Sequence, residues 1–302
     1  MGVIGRAGAV LRVVRPIAGA VREADQLTEG GGRIHLLPGD PASVARLRGI
    51  LDGDVTAPDE DALAILPVRR DTDLSIGAPA LVARRRQGGG AVAMLIGDAG
   101  ERAELEERML RGRRLEMSNI VHVPSLDGDD GRDAGIAAIL PHLGEDAVAS
   151  GWRYPGLRKP VGQDLIVRRA KQSAAIGALP FPGVDMPGIT LIQIRLVAEL
   201  ESMYGYRFGP ERAVEALGLF GAGFAWRAIA RSAVGLVPGA GWAARGAVAY
   251  AATRAVGETT LARLESGHEL VEGIPLEPLR PAFDRVAARL GLGTSNPPRS
   301  QS

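Results

Sequence analysis

The chain has 302 residues, of which 46% are apolar and 24% charged, a globular composition long enough for two domains. The net charge of +1 gives no electrostatic attraction to nucleic acid, so we expect no nucleic-acid partner. The absence of cysteine excludes thiolate metal sites and a thiol nucleophile, and four histidines far apart in sequence argue against a histidine metal site.

Residues 1–24 predict a basic amphipathic helix. Apolar side chains recur on one face, at Val3, Val10, Val14, Ile17 and Val21. Arginines lie on another, at Arg12, Arg15 and Arg22. Such a helix either lies on an anionic membrane surface or packs on its own domain. Pro16 would kink it.

Residues 30–150 alternate between strand and helix patterns. Strands are predicted at 33–37, 62–68, 91–96 and 119–124, and helices at 41–51, 76–86, 101–111 and 131–143. This alternation predicts a small, doubly wound, parallel α/β sheet with right-handed connections.

The loop after the first predicted strand is where such a domain would bind phosphate. A working phosphate loop needs a lysine for the phosphates and a Ser or Thr for magnesium. Residues 37–43 read L-P-G-D-P-A-S, with Asp40 and Pro41 in the phosphate position and no lysine. We therefore expect no P-loop chemistry, no cofactor and no enzymatic activity.

Two later strand ends are similar to those of GTPases. Asp98 stands where the guanine-reading N/T-K-x-D loop has its aspartate, without the lysine and asparagine. Residues 121–128 read V-H-V-P-S-L-D-G, similar to the V-x-V-S-A-x-x-G loop of GTPases. We interpret residues 30–150 as a degenerate GTPase-like domain. The alternative is a doubly wound domain with ordinary capping turns.

Residues 161–265 predict an all-α domain after a linker at 151–160. Helices are predicted at 161–177, 187–204, 210–234 and 240–265, with a short one at 278–290 and a disordered tail at 291–302. Seven glycines between 218 and 246 punctuate two alanine-rich helices, which indicates close helix–helix packing.

Several motifs in this part belong together. They are P-F-P-G-V-D-M-P at 180–187, I-Q-I-R at 192–195, Y-G-Y at 204–206 and G-L-V-P-G-A-G-W at 235–242. On these motifs, residues 175–262 resemble a bacterial helical domain of unknown function (family 697). That domain follows Era-like GTPase domains and occurs in inner-membrane proteins of the YcjF type. The resemblance implies association with a membrane or a protein partner.

Six residues of the helical part are candidates for interactions: Asp185, Gln193, Arg195, Tyr204, Arg227 and Trp242. The alternative is that Asp185 caps a helix and that Arg195, Glu199 and Glu201 form a solvated face. Tyr204 and Trp242 are either interfacial anchors or core residues.

The sequence therefore predicts a non-enzymatic, membrane-associated interaction or assembly protein at the cytoplasmic face of the membrane, or in the cytoplasm as the alternative. Its expected partners are the membrane surface or inner membrane, and a protein partner or a second copy. The functional alternative is a soluble nucleotide-binding protein or weak NTPase with a non-standard phosphate loop. A third hypothesis is a soluble helical scaffold whose glycines line its interior and whose outer face is polar.

Overall fold

The computed structural model of the chain describes residues 19–20, 22–24, 26–28, 30–53, 55, 61–111, 116–179, 185–206 and 241–267. Its strands are β1 (Ile34–Leu36), β2 (Leu63–Val68), β3 (Ala91–Ile96) and β4 (Ile120–Val123). The helices between and after them are α1 (Pro41–Leu51), α2 (Gly77–Arg86), α3 (Arg102–Leu110) and α4 (Gly128–Leu143). The described chain continues with α5 (Ala147–Arg153), α6 (Pro155–Gly177), α7 (Asp185–Met203) and α8 (Gly241–Glu265).

The four strands form one parallel sheet in the order β1-β2-β3-β4. Every residue of β2 and β3 is buried, because helices cover both faces of a parallel sheet. The register pairs Ile34 with Leu63 and Leu95 with His122. The predicted fold class, an α/β sheet followed by an all-α part, is confirmed.

Helices pack on both faces of this sheet. Leu36, Ile65 and Met94 belong to a core shared with α1 and α4. The neighbouring residues Leu66 and Leu95 belong to a second core, shared with α2 and α3. Alternate strand residues point to opposite faces, so α1 and α4 lie on one face and α2 and α3 on the other.

This arrangement gives the connections different hands. Successive strands advance in one direction along the sheet, while α1 and α2 cross on opposite faces. The β1–α1–β2 connection therefore has the opposite hand to β2–α2–β3 and β3–α3–β4. The prediction that all three connections are right-handed is therefore wrong for at least one of them. Nearly all connections between parallel strands are right-handed, so this one is an exception.

The predicted linker at 151–160 is also wrong, because α5 and α6 occupy it with only Tyr154 between them. Pro155 is the first residue of α6, where a missing N–H costs no helical hydrogen bond. Gly156 lies so close to the carbonyl group of Ile50 that a Cβ there would overlap it. The glycine and proline thus mark a close helix–helix contact. The other predicted strands and helices within the described residues are present, with ends shifted by a few residues.

Glycines allow α8 to approach α6 closely. A Cβ at Gly162 would crowd Leu261, one at Gly177 would crowd Ala249, and one at Gly257 would crowd Ile166. Of the glycines that predicted close packing, Gly246 of α8 confirms it, because a Cβ there would crowd the carbonyl oxygen of Ala174 in α6. The outer face of α8 carries charged side chains, including Arg254 and Glu258, which form an ion pair.

The sheet and the helical part share one core. It runs from Ile34 and Leu36 through Leu157 in α6 to Leu200 in α7 and Leu261 in α8. Residues 30–150 and 161–265 are therefore in direct contact. The domain boundaries themselves stay a prediction.

Tyr154 closes the free edge of the sheet at β1. Its buried hydroxyl accepts a hydrogen bond from Ile34 N at 2.8 Å and donates one to Ile34 O at 3.4 Å. Because β1 is an edge strand, Ile34 N–H has no neighbouring strand on that side. The tyrosine takes the place of a further strand and satisfies a backbone group that would otherwise be buried without a partner.

Most of the predicted helix at 1–24 lies outside the described residues, as do the predicted helices at 210–234 and 278–290 and the tail at 291–302. The described part of 19–28 includes helical residues and rests on the helical domain, with Ala20 and Ala24 buried. Among the described residues, no helix is both long and apolar enough to cross a membrane.

Candidate functional site

The carboxyl ends of β1 and β2 form the crevice in which an α/β sheet of this kind binds ligands. The crevice arises because α1 and α2 leave adjacent strands toward opposite faces. An anion bound there needs free backbone N–H groups in the β1–α1 loop. The hydrogen bonds of that loop show how many are free.

The N–H groups of this loop are largely used within the protein. Leu37 N donates to Ile65 O at 2.8 Å and Asp40 N to Pro67 O at 3.0 Å. Ser43 N donates to the Asp40 carboxylate at 2.8 Å, so Asp40 is the N-cap of α1. Pro38 and Pro41 have no N–H. Of residues 37–43, only Gly39 and Ala42 keep amides outside these bonds, so the loop lacks the converging donors of a phosphate site.

The crevice is also filled by the backbone of the protein. A Cβ at Gly39 would overlap the carbonyl oxygen of Pro67, and one at Gly77 would overlap that of Pro38. The β1–α1 loop, the end of β2 and the start of α2 are thus in backbone contact. These glycines are needed for contact between protein segments, and they leave no space between the two loops.

The β2–α2 loop is held by α3. The Arg108 guanidinium donates to the carbonyl groups of Arg69, Arg70 and Thr72, at 3.3 Å for Arg69. Arg69 N donates to the Thr72 hydroxyl at 2.7 Å. A loop pinned by its own carbonyl groups presents few acceptors to a bound molecule.

The residues that resemble guanine-binding loops make local turns. Asp98 accepts from Gly100 N at 2.8 Å and Glu101 N at 3.0 Å, which caps the turn before α3. Asp127 N donates to the Ser125 hydroxyl at 3.0 Å, and the Asp127 carboxylate pairs with Arg46 of α1. The capping alternative is thus matched by Asp98, whereas Asp127 precedes α4 without a side-chain capping bond. In the described parts of the chain, no group of three or more acidic, histidine or cysteine side chains is arranged to hold a metal ion.

The candidate interaction residues of the helical part are spread over its helices. Asp185 begins α7 and Trp242 lies in the first turn of α8, but the structure describes neither side chain, and Arg227 lies outside the described residues. Gln193 is buried and donates to Thr253 of α8 at 3.2 Å, so its amide joins two helices. Tyr204 is half-buried, with the Arg158 guanidinium 5.6 Å from its ring centre.

Burial raises the pKa of Tyr204 to about 12, and the charge of Glu265 acts in the same direction. Its phenol therefore stays protonated throughout the physiological pH range and acts as a neutral polar group. Arg158 opposes this shift but does not reverse it.

Arg195 joins an ion network around a buried carboxylate, which the sequence did not predict. Glu199 is only 2% exposed and accepts from Arg195 Nε at 2.9 Å and from Arg169 Nε of α6 at 3.0 Å. Arg195 also donates to Glu23 Oε1 at 2.8 Å, which ties the N-terminal segment to α7. Burial would lower the pKa of Arg195, but the bonds to Glu199 and Glu23 outweigh it and raise the pKa.

This network overturns the alternative of a solvated face, because Glu199 and Glu201 are both buried. The spacing of Arg195 and Glu199 is that of an ordinary surface pair on a helix. Arg169, thirty residues before Glu199 in the chain, adds a second guanidinium to the same buried carboxylate. Tyr154 and Arg169 were both missed, because their partners are distant in sequence and no local pattern marks them.

With this geometry described, comparison with known families adds one finding. Residues 157–267 match the model of a domain of unknown function (DUF697). The match begins within α6 and ends just after α8, so it covers about a third of the chain. The resemblance inferred for residues 175–262 is therefore confirmed for the helical part. No curated protein and no solved structure was found to match the chain.

Proposed function

We propose that this chain is a non-enzymatic interaction or assembly protein, in which a GTPase-like α/β domain has lost its nucleotide site and serves as a support for the helical domain. We propose further that it works at the cytoplasmic face of a membrane. The observation that carries the first statement is the β1–α1 loop, whose amides and space are used by the protein itself.

The mixed handedness of the connections supports descent from a larger sheet. A left-handed connection between adjacent parallel strands is rare, so it is unlike the way such sheets are usually built. Loss of a segment between α1 and β2 from a larger sheet would leave this arrangement behind. It would also leave β1 as a new edge, which is the edge that Tyr154 now closes.

A nucleotide-binding test addresses the lost site. Thermal unfolding of the full chain is measured with GTP, GDP or ATP, each with and without magnesium, and with an active GTPase as the positive control. We expect no change in Tm at millimolar nucleotide. A ligand at about a hundred times its Kd would stabilise the protein by about 2.7 kcal/mol. A rise in Tm that grows with nucleotide concentration would instead support the nucleotide-binding alternative.

The membrane proposal rests on the matched helical domain and on the basic, amphipathic pattern of residues 1–24. The described part of α8 uses its small residues for contact with α6 and places charged side chains outside. This favours attachment at the membrane surface by other segments over insertion of α8.

Cell fractionation tests the proposal that the chain works at a membrane. We expect the untagged full chain in the membrane fraction, with washes in high salt and in carbonate showing how it is held. Release by salt indicates attachment through basic residues. Retention through both washes indicates an inserted segment. A chain found wholly in the soluble fraction contradicts the membrane proposal and favours the soluble scaffold.

A further inference from the structure

A cleft of about 660 Å³ opens between the N-terminal segment, the end of α6 and the start of α7. Its volume lies within the range of about 300–1,000 Å³ that is usual for small-molecule sites. Ala20, Ala175, Ile176, Leu191 and Ile192 provide an aliphatic lining. The polar side chains in its wall include Arg169 and Arg195.

Among the described residues, the carboxylates that pair with the two arginines of this cleft are those of Glu199 and Glu23. Two guanidiniums, those of Arg169 and Arg195, share the buried carboxylate of Glu199. The second anion is Glu23, whose side chain is 54% exposed and which contacts only Arg195 of the two. A carboxylate from another molecule has the same chemistry as Glu23 and can replace it at the same guanidinium nitrogen.

The lining distinguishes between kinds of ligand. The walls formed by α6 and α7 are helical, and most of their backbone groups are hydrogen-bonded within the helix. A peptide in the cleft would leave its own amide groups without partners, at a cost for each. An alkyl chain has no such groups and gains from burial against aliphatic side chains.

We propose that this cleft binds a single-chain anionic amphiphile, with its carboxylate at Arg195 in place of Glu23 and its alkyl chain against Ile176 and Leu191. Glu23 acts as a built-in competitor, because the ligand must displace it. The site goes beyond the proposed function. The amphiphile site does not depend on whether the chain associates with a membrane or binds a nucleotide.

The test uses dodecanoate, titrated below its micelle concentration into the full-length protein by isothermal calorimetry. Dodecyltrimethylammonium, with the same alkyl chain and the opposite charge, is the control ligand. We expect one site that prefers dodecanoate. Glu23→Gln should tighten dodecanoate binding at least about threefold, because the competing charge is gone. Arg195→Gln should weaken it at least about tenfold, because a charge-assisted bond is lost.

Two further variants test whether the amphiphile binds in the cleft or elsewhere on the protein surface. Ala175→Trp fills the cleft from its exposed rim and should abolish binding without disturbing the core. Arg168→Gln removes an exposed arginine of α6 that pairs with Asp164 outside the cleft, and should change nothing. Glu23→Gln and Ala175→Trp alter exposed positions, so the test does not depend on the stability of the Arg195 variant.

Three results would overturn the proposal. They are no binding by either the wild type or Glu23→Gln, equal binding of the cationic amphiphile, or binding that survives Ala175→Trp. Light scattering is run in parallel. A dimer that Ala175→Trp converts to a monomer, with no amphiphile bound, would assign the cleft to a second copy of the chain. These readouts are independent of nucleotide binding and of fractionation.

Discussion

Substitution of Tyr154 by phenylalanine tests how the free edge of the sheet is closed. The change keeps the buried ring and removes the hydroxyl that accepts from Ile34 N at 2.8 Å. Because β1 is an edge strand, that N–H is left buried without a partner, which costs about 1–3 kcal/mol. For a chain of this size the expected fall in Tm is about 2–6 °C.

The measurement is urea unfolding of the full chain, followed by circular dichroism and by tryptophan fluorescence. Tyr204→Phe is the matched control, because that ring is half-buried, and its effect should stay within about 0.5 kcal/mol. A Tyr154→Phe protein as stable as the wild type would refute the assigned role of the hydroxyl. The shared core also predicts that the two probes give one coincident transition.

Three further predictions concern the buried charges, the crevice and pH. Glu199→Gln should destabilise the fold by about 1–3 kcal/mol, since the partly buried guanidiniums of Arg169 and Arg195 lose their shared counter-charge. The exposed Asp164→Asn should cost under about 0.5 kcal/mol in the same denaturation assay, and equal effects would contradict the burial argument. Gly39→Ala should destabilise by about 1–3 kcal/mol, because its Cβ meets a carbonyl oxygen of β2, and a neutral effect would mean that the crevice has room. Burial lowers the pKa of His35 and of His142 below 6.5, with Arg84 adding to the shift at His35. Below pH 6.5 the unfolded chain therefore binds more protons than the folded chain. The stability that the two neutral histidines contribute is complete above pH 6.5 and is lost as the pH falls below that value. Replacing both histidines by glutamine should flatten the dependence of stability on pH between about 5 and 7, and an unchanged slope would argue against these shifts.

The sequence and the structure show different properties of the β1–α1 loop. The absence of a lysine and the presence of Asp40 and Pro41 in the phosphate position indicated that P-loop chemistry is missing. They did not show what occupies the crevice. The bonds from Leu37 and Asp40 to the end of β2 show that the protein fills it, which strengthens the proposal of a support domain.

Local sequence patterns were sufficient to predict features that depend on residues within a single helix or strand. The strand and helix patterns of residues 30–150 predicted β1 to β4 and the helices between them, with ends within a few residues. The glycines of α8 predicted close packing before its partner helix was known. These features depend on residues a few positions apart, so they can be read along the chain.

Tertiary structure alone decided the face on which each helix packs, the hand of the first connection and the burial of Glu199. Each depends on groups far apart in sequence, such as Tyr154 with Ile34 or Arg169 with Glu199. The sequence by itself thus determined the fold class, the missing nucleotide motifs and the helical-domain resemblance, because these follow from periodicity and local motifs. The joining of the two parts and the charged cleft at α7 came only from long-range packing, which no periodicity in the sequence encodes.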